Sequence, residues 1–500
     1  MAKARVMGYK HLLDAVRDAT NKNLHAIASR SCLAVARHFD QVADMIPRRD
    51  FLLGVMASSV FLARARADIV PDGDIRTILQ DRIDNARQSV GIVAATFDAG
   101  RQNIVTYGRS GAANDRPLDG DTVFEIGSIT KVFTALLLAE MVTRGEVALD
   151  DPVAKYLPDH VKMPTRNGKL ITFLDLATYT SGLPRLPDGI PNFGDNPYAN
   201  YTVEQLYAFL SNHVLRFEPG THYEYANLGF GLLGHVLALR ANTSYEDLLV
   251  SRVCTPLGLG DTRISLTDSM RERLAQGHES SLKATSNWDL PTLAGAGALR
   301  STANDLLKFM KATCLNEAGA PLRPAIDMLL KTRRPVNNSN QTVGLGWFVR
   351  SENDDEVVLK DGGTGGYASF VGFSKRLRSG AIVLSNASNP INDIGLRLTN
   401  PAYKLAQYPP EVSVDPAILS AYEGVYRMTP KFALTIRAEA GRLYVRATGQ
   451  PEFELFAESE NRFFMRIVDA QGTFLRNKDG AVDRLLWHQG GRYQYCTRVP

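Results

Sequence analysis

The segment 124–142 constrains the fold most, because it places a serine just before an apolar run that is long enough for a buried helix. Within it, Ser128 precedes Lys131 by three residues. Residues three apart share one face of a helix, so the Lys131 amine can reach the Ser128 hydroxyl. A serine becomes a strong nucleophile when a nearby base takes its proton, and N–H groups at a helix N-terminus can stabilise an oxyanion. The segment therefore predicts a helix that carries an acylating serine at its start.

Two later segments carry side chains that suit the same chemistry. In the first, Tyr225 and Asn227 lie in a loop before the apolar stretch 230–239, which holds a phenol close to a carboxamide. The second follows a β-rich run and reads Lys360-Asp361-Gly362-Gly363. Glycine at a strand edge lets a substrate backbone come close. Together the three motifs predict one site assembled from distant parts of the chain.

With these motifs in this order, the chain resembles the penicillin-recognising serine hydrolases of the class C β-lactamase type, which include D-alanyl-D-alanine carboxypeptidase/endopeptidases and esterases. The resemblance extends from about residue 90 to about residue 389. It implies an α+β fold, a β-lactamase/transpeptidase-like domain in which an antiparallel sheet stands beside a helical region. The catalytic residues that it implies are Ser128, Lys131, Tyr225 and Lys360. The substrate-binding or oxyanion residues that it implies are Asn227, Asp361, Gly362 and Gly363, with no metal and no cofactor.

The resemblance also implies roles for individual groups. The backbone N–H groups of Ser128 and Gly363 would form the oxyanion hole, and Asn227 would bind the substrate amide and orient Lys131. Two questions stay open at this point. Either Tyr225 or Lys131 can serve as the general base. Asp361 replaces the threonine of the Lys-Thr-Gly motif that many relatives have, and strand alternation allows its carboxylate to face the cleft or to turn away.

Three functions fit these residues. The first is hydrolysis of β-lactam amides or of D-Ala-D-Ala peptides of peptidoglycan, through an acyl-enzyme at Ser128. The second is an esterase or amidase that acts on other small substrates. The third is a penicillin-binding sensor that is acylated without turnover. The expected partner is thus a small molecule or a peptidoglycan peptide, and the oligomeric state is left open.

The first 67 residues form a leader with its own composition. They hold 11 of the 57 basic and 5 of the 53 acidic side chains, so the net charge of +4 comes from the leader and gives no indication of nucleic-acid binding. Arg48 and Arg49 precede a short apolar core, and Ala65-Arg66-Ala67 is a small-x-small pattern. This arrangement predicts a twin-arginine signal peptide and a periplasmic or otherwise exported protein. The alternative is a helical N-terminal extension.

The remaining pattern predicts the domain organisation. Residues 68–400 form the hydrolase domain, in which strands at both ends of the domain, including one at 344–349, close one antiparallel sheet around central helices. Residues 401–416 are a linker. Residues 417–500 hold eight short predicted strands and resemble a lipocalin-like β domain, a small antiparallel barrel. Of four cysteines only Cys32 lies in the leader, and the odd number that follows argues against a disulfide framework.

Overall fold

The computed structural model describes residues 70–499, except residues 99, 115, 189, 191–195, 316–321, 338, 353, 451, 467 and 490. The predicted twin-arginine leader lies outside the described residues, as does Cys32. No helix among the residues described is both long and apolar enough to cross a membrane.

The hydrolase domain is built around one antiparallel sheet. Its strands and those of a small accessory pair are β1 Gly91–Phe97, β2 Gln102–Gly108, β3 Phe124–Glu125, β4 Arg300–Ser301, β5 Arg334–Pro335, β6 Gln341–Val343, β7 Phe348–Glu352, β8 Asp355–Gly363, β9 Ala368–Ser374 and β10 Ser379–Ser385. Within the described residues, the main sheet has the order β2-β1-β10-β9-β8-β7-β6-β5, and β3 pairs with β4 separately. The first strands of the domain thus pair with the last, with Val93 opposite Leu384. The predicted closure of the sheet by both ends of the domain is confirmed.

The predicted strand at 344–349 is wrong in its position. The chain forms β6 before this segment and β7 at its end, and the two strands pair with each other. Gly346 has a φ of 75°, a left-handed conformation that favours glycine, so the segment turns instead of extending. A β-carbon on Gly346 would also lie 3.0 Å from the carbonyl oxygen of Lys131. The turn therefore packs directly against the Ser128 helix.

A helical region covers one face of the sheet. Its α-helices are Thr130–Thr143, Phe173–Ala177, Val203–Asn212, Asn227–Ala241, Tyr245–Leu249, Asp268–Glu272, Ala294–Gly297, Ala303–Cys314 and Arg323–Leu329. In the helix Thr130–Thr143, every residue from Thr130 to Met141 is buried, because neighbouring helices and the turn at Gly346 surround it. The helix that carries Lys131 therefore lies inside the apolar core of the domain.

Two further helices cover the opposite face of the sheet. Asp72–Gln80 and Asn392–Thr399 pack there with a separate apolar cluster that includes Ile75, Leu79 and Ile394. Because both faces are covered, all residues of β1, β9 and β10 are buried, and these strands lack the usual alternation of polar and apolar side chains. The result is a three-layer domain, with the sheet between two layers of helices.

The C-terminal region is a closed barrel. After the short helix Pro416–Ala421, the strands are β11 Gly424–Thr429, β12 Phe432–Glu439, β13 Arg442–Ala447, β14 Glu452–Ala457, β15 Arg462–Phe464, β16 Ala470–Arg476, β17 Val482–Gln489 and β18 Arg492–Val499. They pair in sequence order, and β18 pairs with β11. The rings of Tyr422 and Phe474 stack at 4.1 Å in its interior. The predicted small antiparallel barrel is confirmed.

The three cysteines of the described region are free thiols. Cys254 and Cys496 are buried, and Cys314 is half-buried. Burial raises the pKa of each thiol, most clearly for Cys254 and Cys314, where the value is about 12. These side chains thus behave as apolar packing groups and not as reactive thiols.

Candidate active site

Ser128 lies in a 3₁₀ turn, Gly127–Ile129, that leads directly into the helix Thr130–Thr143. The Nζ atom of Lys131 donates a hydrogen bond to Ser128 Oγ at 2.9 Å and another to the carbonyl oxygen of Ala296 at 2.5 Å. Lys131 is fully buried. The three-residue spacing therefore brings the Lys131 amine within hydrogen-bond distance of the Ser128 hydroxyl, as predicted from the sequence. The second hydrogen bond, to the Ala296 carbonyl oxygen, holds the amine in this position.

Strand β8 comes unusually close to this turn. A β-carbon on Gly127 would lie 2.7 Å from the backbone nitrogen of Gly363, and one on Gly362 would lie 2.9 Å from the backbone nitrogen of Ser128. Side chains at either position would separate the two segments, so glycine is required for the contact. The Ser369 hydroxyl donates a hydrogen bond of 2.8 Å to the carbonyl oxygen of Ile126 and holds the same junction together. The backbone of β8 at Gly362 and Gly363 therefore lies directly against the turn that carries Ser128.

Tyr225 lies between the two lysines. Lys131 Nζ is 5.1 Å and Lys360 Nζ is 5.5 Å from the centroid of its ring. The ring stacks on Tyr179 at 4.8 Å between centroids. Tyr179 has a φ of 57°, which is rare for a large side chain, and such strain persists only where the surroundings enforce it. The strained Tyr179 acts as a platform that fixes the position of the Tyr225 phenol.

The two cations change the acid–base properties of this phenol. Burial on its own raises the pKa of Tyr225, but the charges of Lys131 and Lys360 and a hydrogen bond with Ser128 outweigh it and lower the pKa to about 8. Burial lowers the pKa of Lys131 to about 8, against the opposing effect of Tyr225. The two groups are close enough to titrate as a pair. Near pH 8, one proton is thus shared between a phenol and an amine that both adjoin Ser128.

Lys360 remains a cation in this arrangement. Burial opposes its charge, but the Asp361 carboxylate and the Tyr225 phenol raise the pKa of Lys360. Its Nζ atom donates to the Asp361 carbonyl oxygen at 2.5 Å and to Asp361 Oδ1 at 3.2 Å. Asn392 Nδ2 donates to Asp361 Oδ2 at 3.3 Å. In this position Lys360 supplies a permanent positive charge beside Tyr225.

The orientation of Asp361 is the point that strand alternation left open. The carboxylate turns back to the Lys360 ammonium, and the half-exposed residue lines the same cleft as Ser128. Lys360 lowers the pKa of Asp361, so the carboxylate is ionised at neutral pH. A negative charge therefore lies where the sequence comparison led us to expect a threonine hydroxyl.

Asn227 is at the cleft, but its predicted contact with Lys131 is absent from the hydrogen bonds among the described residues. Its Oδ1 atom is buried and has no hydrogen-bond partner in the part of the chain that the structure describes. Lys131 instead uses the Ala296 carbonyl, because the helix Ala294–Gly297 packs against the helix Asn227–Ala241 beside the amine. The free carbonyl oxygen of Asn227 is available to accept a hydrogen bond from a substrate N–H.

The cleft has a volume of about 620 Å³. All predicted site residues except the buried Lys131 line it. Further lining residues to which the sequence motifs assign no role are Arg185, Tyr198, Tyr223, Glu279, Trp288, Phe348, Glu452 and Phe453. Most are loop residues or strand ends whose approach depends on tertiary packing. Tyr223 adjoins the Tyr225 motif, and Arg185 and Tyr198 belong to the segment 181–201, whose Pro-, Asn- and Gly-rich composition is typical of a loop that lines a cleft. A larger hollow of about 1070 Å³, next to residues 405–414, contains none of the predicted site residues.

Comparison with known protein families gives two matches that meet at residue 408, inside the predicted linker 401–416. Residues 75–408 match the family model described as Beta-lactamase. Residues 408–496 match a domain of unknown function (DUF3471). The first match covers the three-layer domain with its cleft, and the second covers the barrel.

Individual relatives and a solved structure show the same similarity. The chain is 28% identical to the D-alanyl-D-alanine-carboxypeptidase/endopeptidase AmpH of Escherichia coli (strain K12), over 65% of this chain and 89% of that protein. It is 26% identical to penicillin-binding protein 4* of Bacillus subtilis (strain 168), over 77% of this chain and 90% of that protein. The crystal structure of a beta-lactamase/D-alanine carboxypeptidase from Pseudomonas syringae superposes with a TM-score of 0.56 at 25% identity, over 63% of this chain and 94% of that one.

Proposed function

Because the chain belongs to the beta-lactamase family, we propose that it is a serine hydrolase that forms an acyl-enzyme at Ser128 and hydrolyses β-lactam amides or D-Ala-D-Ala peptides of peptidoglycan. The observation that carries the proposal is the 2.9 Å hydrogen bond between Lys131 Nζ and Ser128 Oγ, buried beside Tyr225 and Lys360. A helix-capping serine with a solvated lysine would not bury an amine in this way. The names of the relatives support the substrate class.

The geometry accounts for acylation in one sequence of events. The Lys131–Tyr225 pair takes the Ser128 proton while Oγ forms a bond to the substrate carbonyl carbon. The carbonyl oxygen becomes negative and is stabilised by the N–H groups of Ser128 and Gly363. The bond to the leaving group then breaks, and the pair returns the proton to the leaving nitrogen or oxygen. In deacylation, water forms the new bond to the acyl carbon while the same pair takes its proton. The ester bond to Ser128 Oγ then breaks, the pair returns the proton to Oγ, and the carboxylic acid product leaves.

We assign the general base to the pair and Tyr225 to the proton transfer itself. Lys360 stays positive and stabilises the tyrosinate, whereas the Lys131 amine already donates to two oxygens. Its donor contacts make Lys131 better suited to orient Ser128 than to accept the serine proton. Lys131 then supplies the charge that keeps the pKa of Tyr225 low.

One observation favours a second function, that of an esterase or amidase acting on small neutral substrates. The ionised carboxylate of Asp361 lines the cleft, and it repels a substrate carboxylate. Both β-lactams and D-Ala-D-Ala peptides carry such a carboxylate next to the scissile amide. A neutral ester avoids the repulsion and uses the same nucleophile.

The functions are separated by measuring steady-state turnover of a chromogenic cephalosporin, a D-Ala-D-Ala peptide and a short p-nitrophenyl ester, together with covalent labelling of Ser128. Turnover of the cephalosporin or the peptide supports the main proposal, and turnover of the ester alone supports the second. Stable labelling by penicillin without turnover would identify a sensor. Absence of labelling at Ser128 by a fluorophosphonate, together with absence of turnover of all three substrates, would contradict every one of these functions.

We also propose that the protein is exported through its twin-arginine leader. The support is the sequence pattern of Arg48 and Arg49 before an apolar core. Changing both residues to lysine should leave the precursor in the cytoplasm, measured by cell fractionation and by the N-terminal sequence of the product. A wild-type protein that is recovered from the cytoplasm with Met1 or Ala2 at its N-terminus would contradict the proposal.

A further inference from the structure

The catalytic cleft is not lined by the hydrolase domain alone. Glu452 and Phe453, the first residues of β14 in the C-terminal barrel, lie on its wall together with Gly363, Glu279 and other residues of the hydrolase domain. The described residues of the hydrolase domain and of the barrel belong to one compact unit, so the barrel is packed against the domain that it follows. The family model that matches the barrel assigns it no function.

From this placement we propose that the barrel supplies the outer wall of the cleft, through Glu452 and Phe453, and thereby limits the size and charge of the substrates that reach Ser128. The proposal rests on the proposed function and adds a specificity role to it. The substrate class it favours is a small molecule or a short peptide end without a large anionic substituent. A cleft of about 620 Å³ has the size of a small-molecule site and not of a groove for a polymer.

Glu452 is held in a defined position and does not simply project into solvent. Arg437 donates to it through Nε to Oε1 at 3.2 Å and through Nη2 to Oε2 at 2.5 Å. The same guanidinium pairs with Glu439 at 2.6 Å and lies over the Tyr444 ring at 4.8 Å. Two parallel hydrogen bonds fix both the position and the plane of a carboxylate. The wall is therefore preorganised before any substrate binds.

Phe453 gives the wall its bulk. The residue packs partly against the apolar core of the barrel, and its ring is also part of the cleft lining. A ring that is anchored by a core on one side cannot move away freely from a substrate on the other. The barrel also interacts with the hydrolase domain through Glu439, the last residue of β12. The charge of Lys283 in the hydrolase domain adds to the effect of Arg437 in lowering the pKa of Glu439. Residues 279, 280 and 285 on the same loop line the cleft.

The structure provides matched controls for both residues. Glu439 binds the same Arg437 as Glu452 but does not line the cleft. Phe456 lies on the same strand as Phe453 but stacks under the Arg466 guanidinium at 3.7 Å, outside the cleft. The four variants to compare are Glu452→Gln, Glu439→Gln, Phe453→Ala and Phe456→Ala.

The readout is the ratio of kcat/KM values between substrates that share one reacting group. Three p-nitrophenyl or nitroaryl esters are used: an acetate, an ester with a long acyl chain, and an acetate with a bulky leaving group. Phe453→Ala is expected to raise kcat/KM for at least one extended ester about three- to tenfold relative to kcat/KM for the acetate. The reason is that loss of the ring makes room in the cleft for one or two additional methylene groups of the substrate. Glu452→Gln is expected to raise kcat/KM for an anionic cephalosporin about two- to fivefold relative to the neutral acetate. Both control variants should leave all ratios within about twofold.

The outcomes separate the wall from the proposed function. The proposal of a barrel wall would be overturned if Phe453→Ala and Phe456→Ala gave the same kcat/KM ratios between the esters, and if Glu452→Gln and Glu439→Gln gave the same kcat/KM ratio between cephalosporin and acetate. If Phe453→Ala fails to fold, the isosteric Glu452→Gln still decides. A second measurement does not depend on turnover. A cysteine is introduced in the cleft by Ser388→Cys, and its rate of alkylation is measured with a small and with a bulky maleimide. Phe453→Ala should speed up only the bulky reagent, even if Ser128 proves not to be a nucleophile.

Discussion

The Ser128 cleft and the core of the C-terminal barrel differ in whether they contain buried charged side chains. The cleft buries the side chains of Lys131 and Lys360 almost completely and crowds them around one phenol. The barrel core is apolar and aromatic, and pairs such as Arg484 with Asp483 lie on the barrel surface. Burying a cation opposes folding unless its contacts compensate for the lost water. The barrel is thus held together mainly by apolar packing, whereas the cleft contains buried cations that the proposed chemistry uses.

The contrast also concerns backbone strain. Around the cleft, Gly127 and Tyr179 have φ values of 47° and 57°, and both positions hold parts of the site in place. In the barrel, the residues with positive φ are found mainly at the turns between strands, such as Ala440 and Gly441 between β12 and β13. Strained residues that lie next to reactive groups are typical of active sites. Substitutions in the two regions should therefore affect turnover and stability in different proportions.

The largest effect on turnover is expected from Ser128→Ala. Removal of the Oγ atom removes the bond that forms in acylation, so kcat/KM should fall by about 10³-fold or more, to the level left by oxyanion stabilisation and binding. Labelling by a penicillin or a fluorophosphonate should disappear in intact-mass measurements. Lys131 Nζ keeps its hydrogen bond to the Ala296 carbonyl oxygen in this variant, so the thermal midpoint should change little. Label that persists on the alanine variant would show that the nucleophile is elsewhere.

The next largest effect is expected from Tyr225→Phe. The phenylalanine ring keeps the stacking on Tyr179, which has a centroid distance of 4.8 Å, but it lacks the group that exchanges the proton. Loss of a general base lowers rates by about 10²- to 10⁴-fold. Pre-steady-state acylation should show this decrease while the folded protein keeps its stability. If Tyr225→Phe acylated at a rate within tenfold of the wild-type rate, the general base would be Lys131 and not Tyr225.

The shared proton predicts how the rate depends on pH. Acylation needs the state of the Lys131–Tyr225 pair in which Tyr225 has lost its proton, and the pKa of each member is lowered to about 8. Protonation below pH 8 removes the base, so kcat/KM should fall by up to about tenfold per pH unit as the pH decreases from 8 to 6. The pH–rate profile of a neutral ester measures this without a titrating substrate. A flat profile between pH 6 and 9 would mean that the cations lower the pKa of Tyr225 much further.

The parts of this site that the sequence could predict are the ones with a local signature. The pairing of Ser128 with Lys131 follows from helix periodicity alone, and the eight barrel strands follow from alternation and turn residues. The Ala296 carbonyl has no such signature, because any residue presents a carbonyl and only tertiary packing brings this one to Lys131. The same is true of Phe453, which lies more than 300 residues after Ser128 in sequence. Contacts made by backbone atoms or by the barrel with residues far away in sequence therefore could not be predicted from the sequence and were identified only in the structure.

A smaller effect, limited to anionic substrates, is expected from Asp361→Thr. The carboxylate lines the cleft and is ionised, but Lys360 at 3.2 Å neutralises part of its field. We expect kcat/KM for a cephalosporin to rise about five- to twentyfold, equivalent to ~1–2 kcal/mol at a separation of ~4 Å in a partly solvated site. A neutral ester should change by less than about threefold. Equal changes for both substrates would indicate that Asp361 acts on the Lys360–Tyr225 pair and not on the substrate carboxylate.

The smallest effect on turnover is expected from a substitution in the barrel core, and it provides the strongest test of the comparison. Leu485 is fully buried on β17, a strand that pairs with β16 and β18 and not with β14, which carries the cleft wall. Leu485→Ala removes apolar contacts and leaves a cavity, so the free energy of unfolding should fall by about 2–5 kcal/mol. At temperatures where the variant stays folded, kcat/KM for a short neutral ester should remain within about twofold of the wild-type value. Urea unfolding and steady-state kinetics on the same preparation give both quantities. If turnover decreased in parallel with stability, barrel packing would determine the geometry around Ser128, and the separation between a region organised for stability and a region organised for chemistry would not hold.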